Sequence, residues 1–162
     1  MVFAVAAFAQ IDASTPNGRP RKEELPQNIQ ETMAKQRIER EKKEYEELLE
    51  KSQEAVKISE ELEKSFAVSN QLSTEDRKKL ERLEKLVKKI RTELGGDDDG
   101  EQEADDNKQP PSNVAGAFQT LQKNAAQLFS EIKKSTRYSI SVIAIQTSNT
   151  LLKLVKFIRF GK

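Results

Sequence analysis

Acid groups are most concentrated between Asp97 and Asp106, DDDGEQEADD, where seven carboxylates stand without a base. Carboxylates so spaced can bind calcium, and with Gly100 in the obligatory sixth place of a calcium loop, Asp97 and Asp99 fall at ligand positions three and five. Position one would then be Gly95 and position twelve Asp106 instead of glutamate, so two defining places fail. The run reads as a self-repelling, solvated connection that attracts cations without selecting one. No metal site is expected.

Other reaction chemistry is excluded by residue type. Cysteine, histidine and tryptophan are absent, which removes thiol nucleophiles, imidazole acid/base groups, disulfides and the usual zinc and copper ligands. Paired carboxylates remain abundant, but acid/base work needs a concave, partly dry site to separate their pKa values. Neither a glycine-rich phosphate loop nor a serine-centred elbow occurs. The expectation is a protein that is not an enzyme, with no catalytic residues, no cofactor and no small-molecule substrate.

The other chemically suggestive stretch is basic. From Val114 to Lys162 eight bases meet only Glu131, a net charge of about +7. Near its end Leu151, Leu152, Leu154, Val155, Phe157, Ile158 and Phe160 interleave with Lys153, Lys156, Arg159 and Lys162. Such an end can lie on an anionic membrane or a partner, with Lys153, Lys156, Phe157, Arg159, Phe160 and Lys162 as the surface. Alternatively, its apolar side packs against the preceding helix while the bases reach outward. No nucleic-acid recognition motif accompanies it. The uncharged window Tyr138 to Leu152 is too short and too polar to span a bilayer.

These residues must be positioned by helices. Leu83 to Arg91, LEKLVKKIR, returns 68 residues later as Leu151 to Arg159, LLKLVKFIR, with seven identities. SEELEKS at Ser59 and SEIKKS at Ser130 echo each other at an offset of about 70. Gln27 to Ser69 has neither Pro nor Gly, is rich in helix formers, and carries acid-before-base pairs four apart such as Glu39 with Lys43. Its apolar seam, Ile38, Tyr45, Leu48, Ala55, Leu62 and Phe66, is heptad-like with Glu41, Ser52 and Ser59 in the gaps. Ser73 with Glu75 and Asp76 opens a second helix, whose apolar residues Leu80, Leu83, Val87, Ile90 and Leu94 step by three and four before Gly95-Gly96 ends it. Phe118, Leu121, Ala125, Leu128 and Ile132 repeat that spacing. Tyr138 to Ala144 alternates like a strand, but the 68-residue offset puts Ser141 on the capping Ser73 and predicts a turn over 136–141 and a helix to about Phe160.

The fold class expected is all-α: two antiparallel helical hairpins, the first helix long, joined by an acidic disordered linker. The organisation is a signal-like remnant at 1–9, a disordered Pro/Gly-rich lead at 10–26, hairpin one at 27–94, the linker at 95–113 and a basic hairpin at 114–162. The first nine residues, MVFAVAAFA, end in the small-x-small pattern Ala7-Phe8-Ala9 that a signal peptidase accepts, without a charged front. This layout is similar to short, highly charged, predicted-secreted bacterial helical proteins of no assigned activity, which implies export and helices. Export to the periplasm or outside, or a cytoplasmic place if the apolar run is retained, is therefore expected. So is an interaction or envelope-associated structural role, through a protein partner or self-association.

Overall fold

The computed structural model describes residues 26–96, 111, 113–135 and 141–160, and these form four helices with no strand among them. They are α1 (Gln27–Ser69), α2 (Thr74–Glu93), α3 (Val114–Lys134) and α4 (Val142–Phe160). The signal-like Ala7 and Ala9, most of the proline-rich lead, the acidic run Asp97 to Asp106, residues 136–140 of the expected turn, and Lys162 lie outside the described residues.

Each boundary has a local cause. Pro26 precedes the first turn of α1, where a missing amide hydrogen costs nothing. Asn70, left-handed at φ 54°, closes α1 by donating its amide to the Phe66 carbonyl. At α2, the Ser73 hydroxyl accepts from the Asp76 amide at 3.0 Å while Asp76 accepts from the Ser73 amide at 3.0 Å, a reciprocal capping box. Gly95, at φ 84°, follows its last turn. Asn113 caps α3 by accepting from Gly116, and Ser141 opens α4 by accepting from Ala144 at 3.2 Å.

α1 packs on α2 and α3, and α4 packs on the same two, so the helices ring one shared core in the order α1, α2, α4, α3. Ser65 meets Asp76, Glu61 meets Lys79 and Lys51 meets Glu93, so the contacts descend α1 as they climb α2. Phe66 stacks on Phe118 with ring centroids 4.8 Å apart, while Tyr45 reaches the carbonyls of Ile132 and Ser135, so α3 also runs against α1. The end of α2 and the start of α3 consequently lie at opposite ends of the core.

Every apolar residue of the second and third seams named from periodicity is buried, from Leu80 to Leu94 and Phe118 to Ile132, and in α4 Ala144, Leu151, Val155 and Ile158 are buried at the same spacing. α1 behaves differently along its length. Leu48, Ala55, Ile58 and Leu62 are buried, whereas all residues from Pro26 to Arg40 are exposed, Ile29, Met33 and Ile38 included. A helix of 43 residues is about 65 Å long against about 30 Å for the 20 residues of α2. Its first half therefore projects past the core. The heptad gaps Ser52 and Ser59 are fully buried, and each hydroxyl donates to a carbonyl three residues back, at 2.8 and 2.7 Å. Internal satisfaction lets a polar residue sit in the core without a partner helix supplying a bond.

Candidate surface and the α2–α4 seam

The apolar side of α4 faces inward. Leu151, Leu152, Leu154, Val155 and Ile158 are buried, and half-buried Phe157 packs against the same core. Of the residues expected to form a membrane or partner surface, Lys153 and Lys156 are exposed and Phe160 is 67% exposed. Arg159 is turned sideways. Its guanidinium donates to Glu84 and, at 3.3 Å, to Glu81, both on α2, and its charged end lies 5.2 Å from the Phe160 ring. The structure thus leaves Lys153, Lys156 and Phe160 outward and commits Phe157 and Arg159 to packing.

Glu84 is the anchor of that seam. Burial alone would push its carboxyl up, but hydrogen bonding and charge from Lys88 and Arg159 outweigh it and hold the group below the usual carboxylate range. Lys88 lies 2.9 Å away on the next turn of α2. The pairing of Arg159 with α2 was not foreseen, although the repeated nonamer already puts arginine at both 91 and 159.

A second buried acid sits at the far end of α2. Asp76, 4% exposed, accepts from the Ser73 hydroxyl at 2.7 Å and the Ser65 hydroxyl at 3.0 Å, joining the turn to α1. Desolvation raises its pKa, yet the hydrogen bonds from Ser73 and Ser65, with Lys79 nearby, produce a net lowering. The capping role was legible from Ser73-Thr74-Glu75-Asp76; the reach of Ser65, eleven residues earlier, was not.

Among the described residues there is no group of acids arranged to hold a metal ion, and no helix is long and apolar enough to cross a membrane. The calcium-loop candidate at 95–106 lies almost wholly outside the described residues. Comparison with family models, curated proteins and solved structures returns no match for this chain.

Proposed function

We propose that this is a non-enzymatic helical protein that works by association, built from two antiparallel hairpins joined by an acidic connection and presenting the first half of α1 as an arm. The observation carrying this reading is that every residue from 27 to 40 is exposed on a continuous helix whose second half is anchored in the core. A projecting helix whose base is held by Leu48, Ala55, Ile58 and Leu62 keeps its direction, as a docking arm requires. Ile29 and Met33, one turn apart, supply exposed apolar contacts among charges, a pattern suited to helix-on-helix pairing with a protein partner, of which a second copy is the simplest. Sedimentation equilibrium tests it. Mass should rise with concentration for the whole chain and stay monomeric in an Ile29→Ser, Met33→Ser double variant. A wild-type chain that is monomeric throughout and an arm that captures no other protein would overturn the proposal.

The second reading, binding to an anionic membrane surface, draws on exposed Phe160 beside Lys156 and Lys153. Phe160→Ser is its clean probe, because Phe157 packs in the core and Arg159 is paired. Loss of pelleting with anionic vesicles at low salt supports it; pelleting indifferent to Phe160→Ser removes it. Export and an envelope-associated place rest on residues 1–9 alone, and mass spectrometry of the mature N-terminus tests them.

A further inference from the structure

The bases of α2 divide by whether an acid holds them. Lys79 pairs with Glu61 at 2.8 Å, Arg82 with Glu54, and Lys88 with Glu84 at 2.9 Å. Lys78, Lys85 and Lys89 are exposed and have no ion-pair partner among the described residues. Their spacing of seven and four keeps them on one side of the helix, away from the buried Leu80, Leu83, Val87 and Ile90, along about 16 Å of its length. Together with Glu81, Arg82 and half-buried Leu86 they line a single shallow groove of about 300 Å³.

That groove is joined to the exposed end of α4. Glu81, the acid in its lining, accepts from Arg159 at 3.3 Å, and the Arg159 charge lies 5.2 Å from the ring of Phe160. Arg159 thus offsets Glu81 as Glu54 offsets Arg82, which leaves the charge of the three lysines uncompensated. Phe160, 67% exposed, stands at the edge of this positive strip.

Unpaired ammonium groups beside an exposed ring suit a layer of phosphates with hydrocarbon beneath it. A nucleic-acid duplex offers the phosphates but no apolar layer for Phe160, and α2 has no aromatic residue on which an unpaired base could stack. We propose that the outer side of α2 is a phosphate-binding row that lays the protein on an anionic bilayer. Lys78, Lys85 and Lys89 meet lipid headgroups while Phe160 enters the boundary with the acyl chains. This rests on the membrane reading given above, and it assigns the charged part of the contact to α2 instead of α4.

The full chain is pelleted with vesicles of phosphatidylcholine alone or mixed with phosphatidylglycerol, at about 0.1 M salt, where charges more than about 10 Å from the surface are screened. Wild type should pellet only with the mixed vesicles. At about five-fold per lysine, the triple variant Lys78→Gln, Lys85→Gln, Lys89→Gln should bind about 100-fold more weakly, and the same three changed to Arg should bind as wild type does. Lys57→Gln, Lys64→Gln and Lys123→Gln together remove equal charge from exposed places on α1 and α3, and should alter binding less than about three-fold. Wild type that pellets with neither vesicle overturns this inference and the membrane reading together. Binding that Phe160→Ser abolishes but the α2 triple leaves unchanged overturns the α2 row alone. So does equal weakening by the two triples, or release of vesicle-bound protein by duplex DNA at matched phosphate, which assigns the lysines to nucleic acid.

Discussion

Asp76 shows how a single side chain can fasten a turn. Its carboxylate closes the α2 cap through Ser73 and ties it to α1 through Ser65, so ionisation strengthens three bonds at once. Because its folded pKa lies below the unfolded value near 3.9, the stability it contributes is present above that value and is lost as pH falls through the folded pKa. Asp76→Asn should therefore lower stability at pH 7, by about 0.5–2 kcal/mol as for other lost caps, and should flatten the fall in stability between neutral pH and pH 2. Denaturant titrations at several pH values check this; a variant with the wild-type pH profile would show that the carboxylate charge is not involved. Tyr45 acts similarly at the other end, its hydroxyl lying 3.2 and 3.1 Å from the carbonyls of Ile132 and Ser135. Tyr45→Phe should cost about 1 kcal/mol and fray the end of α3 first, visible as faster amide exchange there.

Among the elements, α1 carries two environments on one helix. Ser52, Ala55 and Ser59 are small and buried, and the two serine hydroxyls bond their own helix, so none of the three needs a partner's polar group. Ser59→Leu should overfill the core there and destabilise by about 1–3 kcal/mol, whereas Ser59→Ala should be nearly neutral. Thermal melts of the two variants discriminate; equal stability would mean the core has room to spare.

Helix positions were legible in the sequence because periodicity, caps and glycine pairs report local chain behaviour, and α4 was recovered from its echo despite the alternation of Tyr138 to Ala144. Partner choice was not legible in the same way. An apolar seam states that a helix is covered but not by which neighbour, so the pairing of α1 with α3 and of Arg159 with Glu84 emerged only in three dimensions. The role of the serine gaps was not legible for a related reason: a polar residue in an apolar seam does not say where its hydroxyl goes, and Ser52 and Ser59 prove to bond their own helix.

Taken together, the described residues form a four-helix core with a helical spar attached. At concentrations where the chain is monomeric, amide exchange should divide α1 in two, with residues 27–44 exchanging fast and residues 48–62 protected to near the global limit. Uniform protection along all 43 residues would mean that the arm is covered in solution.

The ring order has a consequence for synthesis. α2 is completed long before α4, the helix that covers its inner side with Leu151, Val155 and Ile158. The two copies of the nonamer are 68 residues apart, so at ribosomal speeds of 5–20 residues per second the nascent first half waits about 3–14 s with Leu83, Val87 and Ile90 covered by α1 alone and not yet by α4. During that interval the growing polypeptide is a substrate for any chaperone that grips apolar surface, and the unfinished half is the form most exposed to aggregation.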